Sequence, residues 1–111
     1  MWTGRVRPNI VVVQVAGELD MSSVKPLETA VGHQLTTRPK GLVIDMRNVT
    51  FCRSSGLRVL LKARESAEDA HIGLRLVAVR PAVLRVLEIS GLGSVFDVRE
   101  SVPEAMKELV T

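Results

Sequence analysis

A chain of 111 residues, 46% hydrophobic and 24% charged, has the composition of one globular domain that buries roughly two-thirds of its unfolded surface. Fifteen Lys and Arg against twelve Asp and Glu give +3, spread from Arg5 to Lys107, and Trp2, Phe51 and Phe96 are the only aromatics, which argues against direct nucleic-acid binding. No apolar run nears the roughly 20 residues that cross a bilayer, no secretory leader pattern opens the sequence, and lone Cys52 has no disulfide mate, so the expectation is a cytoplasmic protein without membrane insertion.

Strand and helix patterns alternate along the chain. The β-branched run Ile10 to Val15, ended by Gly17, predicts a buried strand. Val24, Leu27, Val31 and Leu35 recur at spacings of three and four and predict a helix, with Ser22 or Ser23 as N-cap and Pro26 in its first turn. Leu42-Val43-Ile44 reads as a second buried strand. A helix is expected from Ser55 to about Ala70, burying Leu57, Leu60, Leu61 and Ala67. Leu74 to Val79 is a third strand. Pro81 opens a helix that turns Val83, Leu84 and Leu87 inward and stops near Gly91. Val95 to Val98 predicts an edge strand, and Pro103 to Val110 a short helix docking Met106 and Val110. No linker or repeat divides the chain, so residues 1–111 form one α/β domain with a mixed, mostly parallel sheet of four to five strands and about four helices.

Short strand–helix–strand connections imply parallel neighbours with right-handed crossovers, which gathers the strand carboxyl ends on one edge. Sites in open α/β sheets lie on that edge. Asp20 and the segment Cys52 to Ser55 are both expected there, close in space. The junction Val49-Thr50-Phe51-Cys52-Arg53-Ser54-Ser55-Gly56-Leu57 is the richest stretch, because an apolar strand gives way to small polar residues at a helix start.

Chemistry of the enzymatic kind is not expected. His33 and His71 are isolated, no residue set has metal-ligand spacing, no Gly-x-Ser-x-Gly elbow or Walker sequence occurs, and Gly91-Leu-Gly93 is a fragment of a dinucleotide fingerprint that follows a helix. No catalytic residue, metal or cofactor is therefore assigned. Asp45 reads as an Asx-turn residue at a strand end, and Cys52 as a small buried hydrophobe, which Arg53 would activate only if the thiol were exposed.

In order, Gly17-Glu18-Leu19-Asp20, Leu42-Val43-Ile44-Asp45, Val49-Thr50-Phe51, Ser54-Ser55-Gly56-Leu57, Leu74 to Val79, and Val86-Leu87-Glu88-Ile89-Ser90-Gly91-Leu92 resemble the STAS domain of bacterial anti-sigma factor antagonists over residues 8 to 110. The resemblance implies a partner-switching cycle. The unmodified antagonist binds an anti-sigma factor that is also a serine kinase and frees the sigma factor; serine phosphorylation ends the binding, and a phosphatase resets it. Carried over, the phosphorylatable serine is Ser54, Asp20 is the acidic residue of the neighbouring loop, and Ser55, Gly56 and Leu57 complete the helix start. Arg53 departs from the family pattern, which has aspartate there. With Arg58 and Lys62 it forms an expected basic rim on the partner-binding face. Beside this stand blander readings, that the serines are only N-caps, that Asp20 is only a turn residue, and that Arg58 and Lys62 are only the solvated face of the helix. Without phosphorylation, the same domain suits an accessory or scaffold subunit of a transporter or sensor complex.

Overall fold

The computed structural model describes residues 2–7, 9–91, 93, 95–107 and 109. Five strands and four helices follow one another as β1 (Trp2–Arg7), β2 (Ile10–Leu19), α1 (Val24–Thr36), β3 (Gly41–Cys52), α2 (Ser54–Asp69), β4 (Gly73–Val77), α3 (Pro81–Ile89), β5 (Val98–Arg99) and α4 (Val102–Lys107). The strands form one sheet in chain order; β1 pairs antiparallel with β2, and every later pair is parallel. The expected mixed, mostly parallel architecture is present.

Side-chain alternation along the strands splits the core in two. Val11, Val13, Val15, Leu42, Ile44 and Leu76 face the layer made by Leu27 and Val31 of α1, Val59, Leu60, Ala63 and Ala67 of α2, and Val83 and Leu87 of α3. Ile10, Val12, Val43 and Val77 face the other way, onto Ala105, Met106 and Leu109. Both sheet faces are covered, which is why the central strands read as continuous apolar runs.

Several boundaries differ from the sequence expectation. Gly17 does not end β2: at φ +85° it sits within the strand, where shifts of register between Gln14 and Ala16 and between Gly17 and Glu18 let pairing with β3 run on to Leu19 opposite Cys52. A left-handed glycine here marks a bulge, not a stop. β3 is correspondingly long, so Asp45 lies inside it and not at its end. β1 had no counterpart in the sequence reading, because Trp-Thr-Gly-Arg-Val-Arg carries no apolar run. The last strand is Val98–Arg99; Val95 and Phe96 precede it, with Phe96 buried in the core. β4 stops at Val77, two residues short of Val79.

Helix phases were also off in two places. Leu61 and Leu84, expected inward, are exposed, whereas Val59 and Ala63 are buried. In α2 the buried set Gly56, Val59, Leu60, Ala63 and Ala67 keeps strict three-and-four spacing, and Leu61 falls outside that stripe while Leu57 packs half-buried at its margin. α1 begins at Val24 with Ser23 at the N-cap and Pro26 in the first turn, and α3 begins on Pro81 and ends before Gly91 at φ +78°. His71 takes φ +57° just past α2, where its N–H bonds Glu68 O and that of Ile72 bonds Ala67 O, a Schellman ending that gives this histidine a structural place. α4 starts one residue before Pro103 and buries Met106; Val110, expected to dock, falls outside the described residues.

Candidate functional site

The carboxyl ends of β2 and β3 carry the two turns that the sequence singled out. Leu19 and Cys52 are register partners, and the Arg53 N–H donates to Leu19 O at 2.9 Å, so the Asp20 loop and the start of α2 are held side by side. The expected juxtaposition is present.

The first turn is braced by its own polar groups. Asp20 Oδ1 accepts from the Ser22 hydroxyl at 2.7 Å and the Ser22 N–H at 3.0 Å, and the Asp20 N–H donates to Ser23 Oγ at 3.0 Å. The Ser23 hydroxyl in turn donates to Glu18 O. The Ser22 side-chain and backbone bonds, helped by Ser23, hold the Asp20 carboxyl below the usual carboxylate range. Ser23 occupies the α1 N-cap position, yet its oxygen is turned back to this loop and caps no helical N–H.

The second turn is organised differently. Sequence reading placed a serine at the N-cap of α2; the N-cap is Arg53 in extended backbone, and Ser54 and Ser55 are the first two helical residues. The bond from Arg53 N–H to Leu19 O fixes that residue as an extension of β3, which moves the helix start one residue earlier than expected. Among the described residues no hydrogen bond engages the hydroxyl of Ser54 or Ser55, and Ser54 is exposed. The reading of either serine as a cap is thereby set aside. Gly56 is buried beneath them: a Cβ there would lie 2.9 Å from Cys52 Sγ and 3.0 Å from Leu19 Cβ, so a larger residue would push the helix start off the sheet.

Around Ser54 the surface is cationic. Arg53 is exposed with its guanidinium over the Phe51 ring, 4.9 Å from the centroid. Arg58 is exposed one turn after Ser54, and Leu57 lies half-buried between them. Lys62 is not brought beside Ser54: eight residues on, about 12 Å along the axis, it borders the groove between α1 and α2 with Glu28 and Val59. The basic rim is thus Arg53 and Arg58, with Lys62 on its flank. Sequence reasoning missed the apolar members of this surface, Met21 at 88% exposure beside Asp20, half-exposed Phe51, and Leu61. Met21 stands alone among polar loop residues, which was the available signal.

Two residues of this region are structural. Asp45 is buried, and its Oδ1 accepts the Arg47 N–H at 3.1 Å in the expected Asx turn, while Oδ2 pairs with Arg47 Nη2 at 2.8 Å. Burial pushes its carboxyl pKa upward and is outweighed by the Arg47 side-chain and backbone bonds and charge, which leave it below the ordinary value. Cys52 is buried as expected, and burial pushes its thiol up to about 11, so the neighbouring Arg53 does not activate it.

A five-stranded sheet in this order, with a serine-bearing helix start beside an acidic loop, defines a STAS domain, and the STAS domain family model matches residues 2–105. The chain belongs to that family. It is similar to the anti-sigma-F factor antagonist RsfB of Mycobacterium tuberculosis, 28% identical over 97 residues covering 87% of this chain and 79% of the relative. An anti-sigma F factor antagonist of Paenibacillus polymyxa is 26% identical over 101 residues, covering 90% of this chain and 86% of that one. The crystal structure of an anti-sigma factor antagonist from Mycobacterium paratuberculosis superposes with a TM-score of 0.91 at 30% identity, covering 99% of this chain and 92% of that chain.

Proposed function

We propose that this chain is an anti-sigma factor antagonist. The edge formed by the Asp20 loop and the first turns of α2 docks onto an anti-sigma factor, which frees the sigma factor for transcription. The anti-sigma factor is itself a serine kinase that transfers the γ-phosphoryl group of ATP to Ser54 Oγ; the P–O bond to ADP breaks, the hydroxyl proton leaves, and docking ends. A phosphatase restores the hydroxyl. Ser54 is a substrate in this cycle and the chain itself is no catalyst. The protein works in the cytoplasm, in keeping with the absence, among the described residues, of a helix long and apolar enough to cross a membrane.

The observation that carries this reading is the state of Ser54, an exposed residue at a helix start whose hydroxyl has no bond to break before reaction. Phosphorylation adds about −1.5 to −2 charges and three acceptor oxygens at a position where the fold tolerates them, so recognition is inverted without refolding. The kinship with named anti-sigma factor antagonists favours this over a scaffold role. Incubation with the cognate anti-sigma kinase and ATP is expected to add one phosphoryl mass to the peptide holding Ser54, and none to Ser54→Ala. An unmodified wild-type peptide would remove the switch.

A further inference from the structure

Some cations of this chain are paired with nearby carboxylates among the described residues. Arg47 pairs with Asp45, Arg64 with Glu68, Arg75 and Arg99 with Asp97, and Lys25 with Glu28. Arg53, Arg58 and Lys62 have no carboxylate partner among the described residues. No acidic residue occurs between Asp45 and Glu65, and Asp20 on the neighbouring loop engages Ser22 through Oδ1. Arg38, Arg80, Arg85 and Lys107 likewise have no carboxylate partner among the described residues, so what sets Arg53 and Arg58 apart is their place on either side of Ser54 in a stretch of chain without acidic residues.

We infer that this face recognises a carboxylate-rich segment of its protein partner through Arg53 and Arg58, and that the Ser54 phosphate closes the face from within by taking the same two guanidinium groups. The inference rests on the partner-switching reading above and names the chemistry of the partner. Arg58 is four residues after Ser54, so their Cβ atoms are neighbours at about 5–6 Å, and Arg53 directly precedes it. A phosphate tethered there meets both arginines at an effective concentration that partner carboxylates do not match, and its geometry suits bidentate pairing. Met21 and Leu61, exposed on the same edge and on the Ser54 side of α2, provide apolar anchors, and these with a near absence of aromatics fit a protein better than a nucleic acid.

The test uses hexaglutamate as probe, added at low salt to ¹⁵N-labelled protein, with phosphoserine placed at position 54 during translation so that no kinase is needed. Hexaglutamate is expected to shift the amides of 53 to 62 selectively. Its affinity falls at least fivefold in Arg53→Gln/Arg58→Gln, and by as much in the phosphorylated protein. The second phosphate pKa, read by ³¹P NMR, lies below its usual value of about 6 and returns toward it in the double variant. Shifts as large around Arg80, Arg85 and Lys107 as around Ser54, equal affinity for the phosphorylated protein, or tighter binding of a hexathymidine oligonucleotide would each overturn the inference. A kinase that fails to modify Ser54 strikes the switching cycle alone, because this measurement does not depend on it.

Discussion

Two turns stand side by side at one edge of the sheet and are built on opposite principles. The Asp20–Ser23 turn satisfies its polar groups internally: the carboxylate, two hydroxyls and two N–H groups bond one another or the adjoining strand. The Arg53–Ser55 turn leaves its hydroxyls unengaged among the described residues and is held by backbone bonds, Arg53 N–H to Leu19 O and Leu57 N–H to Arg53 O at 3.1 Å, with the Cys52 thiol donating to Arg53 O at 3.8 Å and the Arg53 guanidinium over the Phe51 ring. One turn is a brace, and the other is a surface kept open by its neighbour. On the switching cycle proposed above, a hydroxyl that accepts a phosphoryl group and a partner in turn is best placed where no intramolecular bond competes for it.

The largest effect is expected where both turns share a contact. Gly56 packs against Leu19, which leads into the first turn, and Cys52, which leads into the second. Gly56→Val should cost about 2–3 kcal/mol in urea unfolding, as overpacking of a fitted contact does, and should disturb the amides of both turns together. An unchanged midpoint would mean that the two turns are independent and that Gly56 does not couple them.

Single hydroxyl deletions separate the turns next. Ser23→Ala removes an acceptor for the Asp20 N–H and a donor to Glu18 O and is expected to cost about 1 kcal/mol. Ser54→Ala removes no bond and should stay within about 0.5 kcal/mol of wild type while abolishing phosphoryl acceptance. Equal costs in chemical denaturation would break the distinction between brace and open surface.

The brace and the surface were not equally legible in the sequence. β-branched runs such as Val11 to Val13 and Leu42 to Ile44 announce central strands because they are buried on both faces, and the alternation of elements then dictates which loops share an edge. The shared edge of Asp20 and the segment Cys52 to Ser55 was found that way, whereas the choice of Ser54 within it came from the family resemblance. What failed was phase. A hydroxyl followed by helical periodicity suggests a serine N-cap, but the cap is chosen by where the sheet releases the chain, and the Leu19–Cys52 register puts that point at Arg53. The exposure of Leu61 and the burial of Val59 follow from tertiary packing of the helix, which local spacing between several leucines and alanines leaves open. β1 is held by ladder bonds to β2, and its backbone pairing leaves no mark in a sequence containing Gly4 and two arginines.

The smallest effect concerns charge. Asp20 has a folded pKa below its unfolded value, near 3.9, so the stability it lends is fully present above that value and is lost as pH falls through the folded pKa. The turn at Ser54 has no carboxylate of its own between Asp45 and Glu65 and should not titrate with it in the unphosphorylated protein. Between pH 6 and about 2.5 the Ser22 amide is expected to follow one titration with a midpoint under about 3.9, while the Ser54 and Ser55 amides stay nearly flat. If they track Ser22 instead, the Asp20 carboxylate is felt across the Leu19–Arg53 hydrogen bond. Its charge then belongs to the surface around Ser54, and the division into a brace and an open face gives way to a single electrostatic unit.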